Sequence, residues 1–172
     1  MARNVEIKAC ITNLEALETR VAIVADGKPT EIIQDDTFFN CGRERLKLRA
    51  FPDGVGELIF YQRADESGPK ERFYLISKTK EPDKLREVLC QAYGTCGRVI
   101  KQRMLYFSGR TRIHVDRVEN LGDFLELEVV LEEKDSLETG LREARSILAE
   151  LGVEDEQLVE GAYVDLLEKS DA

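Results

Sequence analysis

Charged residues recur two positions apart through much of this chain. Glu126 and Glu128 form one such pair, Glu6 and Lys8 another, and Lys101 and Arg103 a third; Arg45, Lys47 and Arg49 run three in a row, as do Arg112, His114 and Asp116. Alternate side chains of a β-strand share a face, so each set would present its charges together. Two carboxylates side by side are hard oxygen ligands of the kind that hold Mg²⁺ or Mn²⁺. Clustered Lys and Arg are suited instead to charge-assisted hydrogen bonds with phosphate. Carboxylates beside phosphates repel them unless a divalent cation lies between. The two sets together therefore suit a short, flexible, highly charged anion such as a triphosphate better than a carboxylate metabolite.

The elements that must position these residues follow from the same alternation. Period-2 patterning predicts eight strands, at residues 4–11, 31–40, 44–51, 56–63, 71–77, 98–107, 111–118 and 124–131. Three helical patterns interrupt them: 14–24 after an Asn13 cap, 82–93 with Pro82 in its first turn and Gly94 beyond it, and 136–151 between Ser136 and Gly152. Residues 156–167 read as a short helix with a docked tail.

Within the strands the parity is clean. Val5, Ile7 and Ala9 oppose Asn4, Glu6 and Lys8; Leu46 and Leu48 oppose Arg45, Lys47 and Arg49; Leu58 and Phe60 oppose Tyr61 and Arg63. Phe73 and Leu75 oppose Arg72 and Tyr74, Ile100 and Met104 oppose Lys101 and Arg103, Ile113 and Val115 oppose Arg112, His114 and Asp116, and Leu125, Leu127 and Val129 oppose Glu126 and Glu128. Taken strand by strand, this is an antiparallel sheet with one wet face. If the helices cover the apolar faces, closing the sheet into a barrel turns every charged face inward. The predicted fold is thus α+β, a closed eight-stranded antiparallel barrel with covering helices. Its interior would hold Lys8, Arg45, Lys47, Arg49, Arg63, Arg72, Lys101, Arg103 and Arg112 against only Glu6, Asp116, Glu126 and Glu128. Unpaired buried charge costs several kcal/mol or neutralises itself, so an anionic ligand is the natural complement.

A length of 172 residues suits one domain spanning 1–172, with a sizeable core. A net charge of −9 argues against nucleic acid as a partner, and no apolar run is long enough to cross a bilayer. Met1 to Asn4 leads straight into a strand pattern without the apolar stretch of a secretory signal, so the expected location is the cytoplasm. Cys10, Cys41, Cys90 and Cys96 lack zinc-site spacing and read as reduced thiols.

The stretch Asn4-Val5-Glu6-Ile7-Lys8 resembles the N-terminal ExExK signature of the CYTH superfamily, which includes class IV adenylyl cyclases, thiamine triphosphatases and inorganic triphosphatases. Asp35 to Phe39, Arg45 to Arg49, Lys101-Gln102-Arg103, Thr111 to Asp116, Phe124 to Glu128 and the Tyr163-Val164-Asp165-Leu166 segment resemble further motifs of that superfamily, in order. The resemblance implies a triphosphate tunnel with metal ligands Glu6, Asp116, Glu126 and Glu128. It implies phosphate contacts from Lys8, Lys47, Arg49, Arg63, Lys101, Arg103 and Arg112; alternation adds Arg45 and Arg72. Glu6, Lys8, Arg49, Lys101 and Arg103 are the expected catalytic group. One position departs: Asn4 stands where the signature has its first Glu, offering an oxygen without the charge. His114, the only histidine, reads as structural or phosphate-contacting rather than as an acid-base group, because its neighbours are cationic. The implied activity is metal-dependent triphosphate hydrolysis with Mg²⁺ or Mn²⁺, in a monomer or homodimer whose partner is a small molecule. The alternatives are cyclisation of ATP to cyclic AMP and pyrophosphate, or triphosphate binding without turnover.

Overall fold

The computed structural model describes residues 2–62 and 70–170, with side chains for 3–62 and 73–170. Its strands are β1 (Ala2–Ile11), β2 (Thr30–Phe39), β3 (Arg45–Ala50), β4 (Gly56–Tyr61), β5 (Lys70–Thr79), β6 (Thr95–Ser108), β7 (Thr111–Val118), β8 (Gly122–Leu131) and the two-residue β9 (Leu158–Val159). The helices are α1 (Leu14–Val24), α2 (Pro82–Tyr93), α3 (Leu137–Leu151) and α4 (Tyr163–Ser170). Strands run in the order β5-β4-β3-β2-β6-β7-β8-β1, and β1 pairs back to β5, so eight antiparallel strands close in a ring. The α+β class and the closed sheet both agree with the alternation.

Ring closure depends on β1 using both edges. One edge pairs with β8 from Arg3↔Leu131 to Ile11↔Asp123. The other takes β5 as far as Glu6↔Lys70, and β9 continues it at Lys8↔Val159 and Ala9↔Leu158. The C-terminal segment therefore differs from the expected helix over 156–167. A 3₁₀ turn at Asp155–Gln157, closed by a reciprocal Glu154–Gln157 capping box, delivers β9 to the edge that β5 leaves unpaired. Gly161, at φ 96°, then turns the chain into α4.

Helices cover the apolar outer face. Leu17 and Val21 of α1 and Ala144, Ile147 and Leu148 of α3 join Val5, Ile7, Ile113, Val115, Leu125, Leu127 and Val129 in one buried cluster. Ser136 caps α3 by accepting from Thr139 N at 3.2 Å, and Gly152 ends it in the left-handed region. Gly140 brings α3 against the sheet so closely that a Cβ there would lie 2.7 Å from the Val5 and Leu131 side chains. Leu85 and Leu89 of α2 pack on Phe39 and Leu48. Among the described residues, no helix is long and apolar enough to cross a membrane.

The inner face is not wholly charged. Phe38, Ile59, Tyr61, Val99, Val118 and Phe124 form an inner apolar cluster, completed by Tyr163 and Val164 of α4. Gly97 makes room for this helix, since a Cβ there would come 2.4 Å from Val164. The aliphatic and aromatic surface turned inward on one side of the ring is thereby buried by the chain's own end rather than left wet.

Candidate functional site

Within the ring lies a cavity of about 250 Å³. Strand register decides what faces it. Glu6 stands opposite Glu128 and Lys8 opposite Glu126 across β1 and β8, while Arg112 stands opposite Glu128 and His114 opposite Glu126 across β7 and β8. On the far wall Asp36 is paired with Arg49, Phe38 with Lys47 and Lys47 in turn with Ile59. Lys8, Lys47, Arg49, Lys101, Arg103, Arg112, Glu6, Glu126 and Glu128 all line this one cavity. Arg45 does not; its guanidinium pairs with Asp165 of α4. Asp116 does not line it either, being fully buried behind Arg103. Arg63, and the side chain of Arg72, lie outside the described residues.

The basic wall carries more positive charge than its carboxylates satisfy. Arg49 donates to both oxygens of Asp36 at 2.8 Å, and Lys47 lies 3.4 Å from the same carboxylate. Burial would raise the Asp36 carboxyl, but Arg49 and Lys47 hold it well below the usual range. Arg103 is committed to Asp116 through Nε to Oδ1 at 2.8 Å and Nη2 to Oδ2 at 2.7 Å. Lys101, only 5% exposed, has no carboxylate partner among the described residues; its ammonium lies 5.0 Å from the Tyr163 ring centre. Burial and then Arg103 push the Lys101 ammonium well below its ordinary range. Burial and Arg49 lower Lys47 to about 8. Carboxylates act on both amines, but burial and the neighbouring guanidinium outweigh them.

The acidic wall sets like charges side by side. Burial, then Glu6 and Glu126, raise the Glu128 carboxyl to about 7. Burial works the same way on Glu126, but a hydrogen bond with His114 and the charges of Lys8 and Arg103 hold it down. His114, which burial and Arg103 depress to about 4, is a neutral imidazole near pH 7. Asn4, 2% exposed, donates through Nδ2 to Glu128 Oε2 at 3.4 Å, and its Oδ1 is buried without a partner. Two converging carboxylates, Glu126 and Glu128, with Glu6 opposite Glu128 in the ladder and an orphaned amide oxygen on Asn4, fit a hard divalent cation.

The sequence profile of the CYTH domain matches residues 2–163. The chain belongs to the CYTH family. No curated protein matches this CYTH chain. Among solved structures it is similar to a Pyrococcus horikoshii protein, at 22% identity and a TM-score of 0.85 over 95% of this chain and 99% of that one. It is similar also to a conserved hypothetical protein of Pyrococcus furiosus, at 24% identity and a TM-score of 0.86 over the same shares. A Hippeastrum protein described as having a dominant triphosphatase activity aligns at 13% identity and a TM-score of 0.72, over 99% of this chain and 96% of that one. At these identities the likenesses establish the fold of the CYTH chain.

Three functional-site residues of this CYTH domain escape an alternation argument. Asp36 is the carboxylate that Arg49 and Lys47 of β3 share, but its neighbour Asp35 is chemically identical and points outward to Arg98 at 2.8 Å and 2.5 Å. Tyr163 lies beneath Lys8 at 4.2 Å and donates from its hydroxyl to Asp116 Oδ2 at 2.6 Å. Burial and Asp116 raise that phenol well above its ordinary range, which keeps the donor proton in place. Asp165 both pairs with Arg45 and accepts from Ala162 N, pinning the start of α4. The motif Tyr163-Val164-Asp165 was the available signal for the last two.

Proposed function

We propose that this CYTH domain hydrolyses the terminal phosphoanhydride of a triphosphate with the help of Mg²⁺ or Mn²⁺. The observation that carries the reading is one cavity lined both by Lys101, a buried ammonium without a carboxylate partner among the described residues, and by the carboxylates of Glu6, Glu126 and Glu128. Lys47, Arg49, Lys101, Lys8 and Arg112 would hold the non-bridging phosphate oxygens, several at once, in a partly desolvated setting where such contacts are strong. Arg103, oriented by Asp116, would present its guanidinium to the negative charge that develops on the departing diphosphate. Glu6, Glu126 and Glu128 would hold the cation, with Asn4 Oδ1 at its border. When bound, a divalent cation there polarises a phosphoryl oxygen and lowers the pKa of water. Water oxygen bonds to the terminal phosphorus, the phosphorus–oxygen bond to the diphosphate breaks, and orthophosphate is released. The Hippeastrum likeness supports hydrolysis as the first chemistry to test.

On this reading the partner is a small molecule rather than nucleic acid or a membrane, and residues 1–172 work as one cytoplasmic domain. The test is a product screen with tripolyphosphate, thiamine triphosphate and nucleoside triphosphates in Mg²⁺ or Mn²⁺. Orthophosphate with the matching diphosphate is the expected result. Cyclic AMP with pyrophosphate from ATP would replace hydrolysis by cyclisation, and tight binding with no product would leave a binding protein.

A further inference from the structure

We infer that His114 supplies a nitrogen ligand to the cation held by Glu126 and Glu128, so that this site prefers Mn²⁺ to Mg²⁺, an assignment that rests on the metal-dependent reading above. The carboxylate oxygens are already sorted. Glu126 Oε2 faces Lys8 Nζ at 3.5 Å, and Glu128 Oε2 faces Asn4 Nδ2 at 3.4 Å and Arg112 Nη1 at 3.5 Å. The two remaining oxygens, both Oε1, converge on His114 Nδ1 at 3.3 Å from Glu126 and 3.7 Å from Glu128. All three ligand atoms lie within 4.8 Å of one another. Nitrogen and oxygen ligands about 2.1 Å from one ion lie roughly 3.0 to 3.5 Å apart at octahedral or tetrahedral angles. The two His114 distances, 3.3 Å and 3.7 Å, lie in or near that range, and a bound ion would draw the two carboxylates together from within 4.8 Å.

Two further features favour a ligand over a plain hydrogen-bonding role. Glu128 Oε1 has no hydrogen-bond donor among the described residues, so orienting Glu126 alone would leave the second approach unexplained. Asn4 Oδ1, buried and unpartnered, belongs to the amide that already touches Glu128, which places a neutral oxygen beside the same carboxylate. Arg103 Nη2 reaches Glu126 Oε1 only at 3.4 Å, its short bonds being spent on Asp116. Backbone register sets the arrangement, since His114 and Glu126 are directly paired across β7 and β8. Mg²⁺ takes oxygen ligands and keeps its waters, whereas an imidazole nitrogen favours first-row transition ions over it, with Mn²⁺ the weakest binder of that series.

The experiment is pulsed electron paramagnetic resonance on the full chain, made without a histidine tag and loaded with Mn²⁺. The chain has one histidine, so ¹⁵N-histidine labelling assigns any histidine-nitrogen coupling to His114. The expected spectrum shows that coupling in the wild type and loses it in His114→Asn, where the Mn²⁺ over Mg²⁺ affinity ratio falls by about tenfold or more. Mn²⁺ bound without histidine coupling overturns the His114 assignment and leaves the carboxylate site standing. No Mn²⁺ binding overturns both. The wild-type spectrum decides between these outcomes even if the variant fails to fold.

Discussion

Arg103 and Asp116 stand directly opposite each other in the β6–β7 ladder and are joined by two parallel hydrogen bonds of 2.8 Å and 2.7 Å. Burial would raise the Asp116 carboxyl, but Arg103 outweighs it and holds the group ionised. With the Tyr163 hydroxyl as a third donor, Asp116 is occupied from both sides. Its place is to aim Arg103 into the cavity. Asp116→Asn should therefore cost about 3 to 5 kcal/mol of stability in urea denaturation, because it leaves a buried guanidinium short of its counter-charge. A loss below about 1 kcal/mol, accompanied by weaker metal binding, would instead return Asp116 to the ligand role that family resemblance implies.

Glu128→Gln should separate function from stability. The Glu128 carboxyl is raised from 4.5 to about 7 in the fold, so in the metal-free protein its contribution is present below pH 4.5 and lost as pH rises through 7. The Gln variant removes that repulsion. Above pH 7 without metal it should equal the wild type or exceed it by about 1 to 3 kcal/mol, while divalent-metal affinity falls about 10- to 100-fold. Thermal melts with and without Mn²⁺ measure both; unchanged metal affinity would remove Glu128 from the site.

Asn4→Glu tests whether the site is adapted to its departure from the family signature. Asn4 Nδ2 donates to Glu128, and a carboxylate there would exchange that donor for a fourth negative charge at a position only 2% exposed. Without metal the variant should lose about 1 to 3 kcal/mol, and its triphosphatase rate should fall. Higher maximal turnover across a metal titration would show that Asn4 weakens the site instead.

The basic wall predicts proton uptake on ligand binding. Lys47 is depressed to about 8 from 10.5 in the empty fold, so its contribution to stability is present above pH 10.5 and lost as pH falls through 8. A bound triphosphate restores the charged form. Between these values binding should take up protons, and affinity should weaken as pH climbs above 8. Calorimetry in buffers of different ionisation enthalpy reads the uptake directly. At pH 7 triphosphate should raise the melting temperature more than monophosphate does, by a margin that shrinks in high salt; equal shifts would contradict the cavity's assignment.

Much of this protein is legible by counting in twos. An extended chain alternates its faces whatever surrounds it, so the parity of Glu6 and Lys8, of Lys47 and Arg49, and of Glu126 and Glu128 already separates an apolar side from a charged one. The helices were equally readable from Asn13, Pro82, Ser136 and Gly152, because caps act within a few residues. Alternation cannot say whether the charged side meets water or a cavity; the β1–β5 pairing decides that by closing the ring. Nor can it choose between Asp35 and Asp36. They are adjacent and chemically identical, so local sequence assigns them to opposite faces without saying which is inner. The choice is made by register, which sets Asp36 beside Arg49 and leaves Asp35 for Arg98. Likewise Tyr163 meets Asp116, 47 positions earlier, only because β9 and α4 return the chain to the ring. Which carboxylates hold cations in place and which remain for a ligand is a property of these long-range pairings, since neutralisation depends on distance in space and not along the chain.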